Sequence, residues 1–255
     1  IIGTANILES LKNLENDCAA LIITSDKCYK NKELIRGYKE NDEFGGDDPY
    51  SGSKASAEII FHSYFDSFFQ KSRVKIASAR AGNVIGGGDW SENRIIPDCI
   101  RAWSNSKILN IRNPHSTRPW QHVLEPISGY LNLALILKKN SKFNGSSFNF
   151  GPNRQENQSV LNVVEKMSKY WKNPKWKVFK QKNQYQKETN LLQLNCRKAR
   201  DQLKWRSNLN FNQTVKFTSE WYNFYNNNKK SYEISVKQIK DYTNLAKKRR
   251  IKWAQ

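Results

Sequence analysis

Two short stretches of the sequence bring together groups that exchange protons. Ser25-Asp26-Lys27 sets a hydroxyl, a carboxylate and an amine on consecutive residues, directly after the apolar run from Ala19 to Ile23 and Thr24. Tyr50 and Lys54 stand four residues apart at the start of a helical pattern. That spacing puts them on one helical face, where the ammonium can approach the phenol. A nearby cation favours phenolate and makes a weak base usable. The four cysteines, Cys18, Cys28, Cys99 and Cys196, contain no C-x-x-C pair, and His62, His115 and His122 lack helical ligand spacing. Neither a metal centre nor a disulfide framework is expected.

The elements that must position these residues follow from periodicity. Ile7, Leu8, Leu11 and Leu14 predict a helix over 4–14, and Ala19 to Thr24 reads as a buried strand. A helix feeding a fully apolar strand is the rhythm of a parallel α/β sheet, whose carboxyl edge gathers ligand-binding residues. A polar loop over 37–49 ends in Pro49-Tyr50-Ser51, and Ser51 or Ser53 offers a cap to a helix running through Ala55, Ile59, Ile60, Tyr64 and Phe68. A second strand, Val74 to Ser78, leads into ARAGNVIGGGDW, where Gly86, Gly87 and Gly88 mark a sharp turn or a close backbone approach. Beyond it we expect a helix over 96–103, an irregular polar segment over 107–120 and a helix over 123–137. A short strand at Phe148-Asn149-Phe150-Gly151 and helices over 159–170, 196–203 and 211–225 complete the reading. No internal repeat is visible. The glycine-rich turn that opens a dinucleotide-binding sheet does not occur near the start.

A net charge of +20 over 255 residues raises the question of a polyanionic partner. Lysine and asparagine are spread along the whole chain, however, and the basic aromatic platform of a nucleic-acid reader is absent. Lys229-Lys230 and Lys247 to Arg250 read as a solvated helix end or tail, so neither nucleic acid nor membrane is an expected partner. No apolar run approaches the ~20 residues of a membrane span, and the start is neither basic nor cleavage-like, so a cytoplasmic location is expected.

Taken in order, five motifs resemble the extended short-chain dehydrogenase/reductases and, within them, the nucleotide-sugar 4,6-dehydratases. They are Ser25-Asp26-Lys27, Tyr50 with Lys54, the run from Arg80 to Gly86, Arg94-Ile95-Ile96-Pro97, and Arg118-Pro119-Trp120-Gln121-His122, covering the chain to about Tyr225. Lys27 stands where members acting on dTDP-glucose or GDP-mannose carry Glu, which points to the branch acting on CDP-glucose. Members acting on UDP-N-acetylhexosamines share Asp-Lys but replace the tyrosine, which is present here as Tyr50.

The resemblance implies an NAD-dependent carbon-oxygen lyase, a cytoplasmic homodimer that turns CDP-D-glucose into CDP-4-dehydro-6-deoxy-D-glucose and water for O-antigen deoxysugars. It implies an α/β fold: a Rossmann-like parallel sheet with a smaller C-terminal α/β substrate-binding domain. The division expected is 1–90 for the catalytic part of the NAD-binding domain, 91–225 mainly for substrate with some segments returning, and 226–255 for a basic helix or tail. The catalytic residues implied are Ser25, Asp26, Lys27, Tyr50 and Lys54. Tyr50 would take the 4-hydroxyl proton with Ser25 on the same oxygen, Lys27 the C5 proton, and Asp26 would protonate the departing 6-hydroxyl. That requires Asp26 protonated and Lys27 neutral, the reverse of their ordinary states. Thr24, Tyr50, Lys54, Arg80 and Val84 would hold NAD. Asn83 and Arg118 would hold the pyrophosphate, Arg94 and Arg112 the nucleotide end, and Leu109 and Ile111 the base. The competing readings are another dehydratase or an epimerase of the same superfamily, or a non-catalytic basic binding module. An epimerase would lack the Asp-Lys pair. Members of the family begin with a nucleotide-binding half of several strand-helix units, so the first strands are expected to be missing ahead of Ile1. A fragment of that kind is expected to expose a sheet edge and to be inactive alone.

Overall fold

The computed structural model describes residues 1–152, 157–179 and 191–255. In chain order the elements are α1 (Ile2–Lys12), β1 (Cys18–Ile23), α2 (Pro49–Tyr64), β2 (Val74–Ala81), β3 (Val84–Ile85), α3 (Ile95–Ser104), β4 (Ile108–Ile111), β5 (Thr117–Pro119), β6 (Gln121–His122), α4 (Leu124–Lys139), β7 (Ser147–Phe150), β8 (Asn157–Ser159), α5 (Val160–Ser168), β9 (Lys175–Val178), α6 (Arg197–Leu203), α7 (Phe211–Asn228) and α8 (Ser231–Lys248). They divide into two units, the first comprising Ile1–Gly82, Pro126–Gly151 and Leu192–Arg206, the second Asn83–Glu125, Pro152–Leu191 and Ser207–Gln255.

The first unit is built on a parallel sheet of order β1-β2-β7. Its register runs from Cys18 opposite Val74 to Ile23 opposite Ala79, then from Ser78 opposite Ser147 to Ala81 opposite Phe150. β2 lies in the middle and is buried along its length apart from a half-exposed Lys75. Leu8 of α1 and Phe61 of α2 pack with Val74, Ile76 and Phe69 to form the core on these helices. The cap of α2 is Asp48 rather than Ser51 or Ser53. Its carboxylate accepts from Ser51 N at 3.0 Å and from Ser51 Oγ at 2.6 Å. Pro49 opens the helix, which puts both serines inside it, because proline loses nothing where the first amide has no helical partner. α2 continues into a π-helical stretch, Phe65–Phe69, which buries Phe69.

The second unit combines three two-stranded sheets, β3-β6, β4-β9 and β5-β8, with α3, α5, α7 and α8. The expected irregular segment over 107–120 in fact holds β4 and β5. β4 turns Leu109 and Ile111 inward and Ile108 and Asn110 outward, and its partner β9 lies far along the chain, so no local pattern marks the pair. The glycine run is a close approach as expected: a Cβ on Gly87 would stand 1.9 Å from Trp221 Cδ2, so only glycine lets the loop lie on that indole. Tyr222 also donates its hydroxyl to the Asp89 carbonyl at 2.7 Å. Residues 231–248 form a packed helix with Ile234, Gln238, Tyr242 and Ala246 buried, and the basic run closes its end.

Glu125 fastens the second unit internally. Its buried carboxylate accepts from Asn208 N at 2.9 Å, Leu209 N at 2.6 Å and Tyr242 Oη at 3.1 Å. Burial pushes its pKa up to about 7, against the pull of those donors. A carboxyl raised in the folded state stabilises fully below its unfolded value near 4.5 and loses that contribution as pH rises through about 7. His122, buried with its Nδ1 accepting from Leu124 N at 3.3 Å, is pushed by burial down to about 4 and acts in the opposite sense, losing its contribution as pH falls from about 6.5. Glu125→Gln is therefore expected to remove about 3 kcal/mol of stability loss between pH 5 and pH 8. Urea midpoints measured across that range check it, and an unchanged slope would refute the assignment.

Candidate active site

The carboxyl end of β1 runs straight into the first chemical cluster. Ser25 is extended and caps a single 3-10 turn, Asp26–Cys28, by accepting from Lys27 N at 3.2 Å. The Ser25 hydroxyl then donates to Asp26 Oδ1 at 3.0 Å, so its one proton goes to the carboxylate. Asp26 is 2% exposed and Lys27 half-buried. Burying a carboxylate at a strand end needs room, which Gly82 supplies at the end of β2. A Cβ there would stand 1.8 Å from Asp26 Oδ2 and 2.2 Å from its Cγ. Gly82→Ala is therefore expected to destabilise the protein by about 1–3 kcal/mol through overpacking, read as a lower denaturant midpoint.

The turn packs against α2, which carries the second cluster. Tyr50, in the first helical turn, is 55% exposed, and the Lys54 ammonium lies 5.7 Å from the centre of its ring. Hydrogen bonds from Ser51 hold the Asp48 carboxyl below the usual carboxylate range, and the charge of Lys27 adds to the effect, which places that ammonium near the start of the helix.

Four residues on from Lys54, on the same helical stripe, comes a group the sequence reading passed over. Each step of four residues advances a helix by about 40°, so the stripe that starts exposed at Tyr50 turns inward by Glu58. The Glu58 carboxylate is fully buried and paired with an equally buried Arg80 at 2.7 Å. Arg80 Nε donates to Oε1 at 2.9 Å and Nη2 to Oε2 at 2.7 Å, the bidentate geometry of a guanidinium fork. Thr24 Oγ1 also donates to Glu58, and Ser78 Oγ does so at 2.9 Å. Burial opposes the charge on Glu58, but the hydrogen bonds and charge of Arg80, with Thr24 and Ser78, outweigh it and hold its pKa below the ordinary value. The remaining Arg80 donor, Nη1, reaches Tyr29 Oη at 2.6 Å and the Glu40 carbonyl at 2.8 Å. The side chains of Thr24 and Arg80, expected on NAD, are thus committed to Glu58. A burial-dependent ion pair leaves no mark in sequence beyond an acid eight residues after the tyrosine.

The second unit holds the residues expected on the substrate. Asn83 takes the left-handed region at φ +51 and its carbonyl accepts from Gln121 N at 3.2 Å. Val84 opens β3, half-buried. Arg94 immediately precedes α3, exposed, with Asp89 at 3.4 Å, and Arg112 Nη2 donates to Asn93 Oδ1 at 3.3 Å. Arg118, half-buried on β5, donates from Nη1 to the Thr117 carbonyl at 2.8 Å. Arg112 and Leu109 help line a cleft of about 560 Å³ together with Arg101, Lys107, Asn110 and Phe179. Leu109 and Ile111, however, are 3% and 1% exposed and both belong to the apolar core with Trp103, Val164 and Tyr222, because β4 turns them inward; contact with a base is not the part of either side chain.

Three comparisons bear on this arrangement. Residues 1–218 match the family model described as GDP-mannose 4,6 dehydratase. The CDP-glucose 4,6-dehydratase of Salmonella typhimurium is 39% identical over 248 residues, 95% of this chain and 68% of that protein. A dTDP-D-glucose 4,6-dehydratase of Dictyostelium discoideum is 27% identical over 178 residues, 66% of this chain and 38% of that protein. Among solved structures, the dTDP-glucose 4,6-dehydratase of Bacillus anthracis in complex with NAD superposes with a TM-score of 0.71 at 20% identity, covering 91% of this chain and 69% of that one. The UDP-glucuronic acid 4-epimerase of Bacillus cereus, in complex with UDP-glucuronic acid and NAD, gives 0.72 at 20% identity over 88% and 67%. These structural likenesses establish the Rossmann-like fold.

Proposed function

The chain belongs to the GDP-mannose 4,6 dehydratase family, and from that premise we propose that it carries the catalytic and substrate-binding residues of a CDP-glucose 4,6-dehydratase using bound NAD. The observation that carries this reading is the pairing of the Ser25-Asp26-Lys27 turn with α2 and its Tyr50 and Lys54, on a chain 39% identical to an enzyme of that name. The donor set suits NAD. Tyr50 is open to solvent, and Lys54 has no carboxylate partner among the described residues, which leaves a phenol and an ammonium for ribose hydroxyls at the carboxyl edge of a parallel sheet. Bound NAD would supply the hydride acceptor at C4 and the hydride donor at C6.

The residues of this chain supply the proton transfers. Tyr50 takes the proton of the sugar 4-hydroxyl, with the Lys54 ammonium beside it to offset the charge. Ser25 holds the 4-oxygen once its proton turns from Asp26. The ketone at C4 acidifies C5, so Lys27 takes the C5 proton while Asp26 gives its own to the 6-hydroxyl, which departs as water. Asn83, Arg94, Arg112 and Arg118 bind the nucleotide diphosphate. Homodimeric assembly belongs to the same reading.

Full-length protein assayed with NAD against CDP-glucose, dTDP-glucose, UDP-glucose, GDP-mannose and UDP-N-acetylglucosamine tests the proposal, with mass spectrometry reading the loss of water. CDP-glucose is expected to lead in kcat/KM by on the order of 10²-fold. Preference for another nucleotide would refute the CDP assignment, and epimerised sugar without loss of water would refute dehydration.

A further inference from the structure

We propose that Glu58 is a positioning residue, and that the Thr24 hydroxyl works through it to hold Tyr50 and Lys54 in register with Ser25-Asp26-Lys27. The proposal rests on the catalytic roles given above to those five residues. Glu58 touches none of them and has no path to solvent, being 0% exposed.

Three covalent branches meet at its carboxylate. α2 contributes Glu58 itself, β1 leads directly into Thr24, the residue before Ser25, and β2 contributes Ser78 and Arg80, the latter two residues before Gly82. Each branch leads within two residues to a group of the site or, along α2, by one helical turn to Lys54 and two to Tyr50. Four hydrogen bonds to one carboxylate leave it a single low-energy orientation, and a helix pinned at its middle cannot slide or roll over the strand ends. Apolar packing alone sets α2 less sharply, because the buried residues of α2 before Glu58 are small, Ser51, Ala55 and Ala57, and its one large buried side chain, Phe61, lies a turn beyond. Small side chains permit sliding by a fraction of an ångström, and displacement on that scale is enough to slow a positioned proton transfer.

The test uses Thr24→Val, which keeps the shape and removes the donor, Thr24→Ser, which restores it, and Glu58→Gln, all in the full-length protein. Thr24→Val and Glu58→Gln are expected to lower kcat for water loss by roughly tenfold with KM nearly unchanged, and Thr24→Ser to recover most of it. Hydrogen exchange gives an arm independent of turnover. Residues 24–28 and 49–54 should exchange faster in Thr24→Val and Glu58→Gln, while the second unit exchanges as before. If kcat in Thr24→Val and Glu58→Gln stays at the parent value, or falls equally in Thr24→Ser, the proposal fails. If the parent turns over no nucleotide sugar, the functional reading fails instead, and the exchange arm decides the positioning role: unchanged exchange at 24–28 and 49–54 overturns it.

Discussion

Lys27→Ala is expected to slow release of water from the nucleotide sugar by about 10²–10⁴-fold, the usual weight of a positioned general base. Lys27 sits half-buried in a turn whose backbone is capped by Ser25, and its side chain takes no part in that cap. Removing the amine therefore leaves the turn, Asp26 and the packing on α2 in place, and the denaturant midpoint should hold. Substrate affinity should change little, because the arginines proposed to bind the nucleotide lie in the other unit. A second readout isolates the step: in deuterated water the parent enzyme should incorporate solvent deuterium at C5 of residual ketosugar, and the variant should not. Water loss at the parental rate would remove Lys27 from the mechanism and, with it, the residue that separates the CDP reading from its Glu-bearing relatives.

Arg80→Ala is expected to cost about 3–5 kcal/mol of stability, enough to leave much of the protein unfolded at ambient temperature. The loss comes mainly from what remains behind. Glu58 would stay fully buried without its bidentate partner, and Tyr29 and the Glu40 carbonyl would each lose a donor at 2.6 and 2.8 Å. Replacing both partners tests that account. In Glu58→Leu with Arg80→Met no charge is stranded, and buried ion pairs exchanged for apolar side chains of similar volume are often neutral. The double variant should recover most of the midpoint lost by Arg80→Ala, whereas additive losses would show that the guanidinium stabilises by packing rather than by pairing.

The parallel sheet, its flanking helices and the two chemical clusters were legible because each rests on local signals. Apolar runs such as Ala19 to Ile23 mark strands, although β1 is only half-buried and leaves Ile23 45% exposed where full burial was expected; 3.6-residue spacing marks helices, and the Tyr50 to Lys54 interval is itself a helical contact. The short strands of the second unit were not legible. β4 and β9 are four residues each and derive their hydrogen bonds from one another across a long stretch of chain. Ile111 was misjudged for the same reason, since only the pairing of β4 decides which of its faces is covered. Gly82 stood within a recognised motif, yet its reason, the Asp26 carboxylate where a Cβ would stand, lies in a turn distant along the chain.

The sequence by itself determined which residues can move protons, the class of fold that gathers them and the family to which the chain belongs. Those properties reside in residue type, order and short-range spacing. Tertiary structure decided which of the named residues are free to meet a ligand. Thr24 and Arg80 turn inward to Glu58, and Ile111 joins a core, because burial and hydrogen-bond satisfaction depend on neighbours that the chain brings together only when folded.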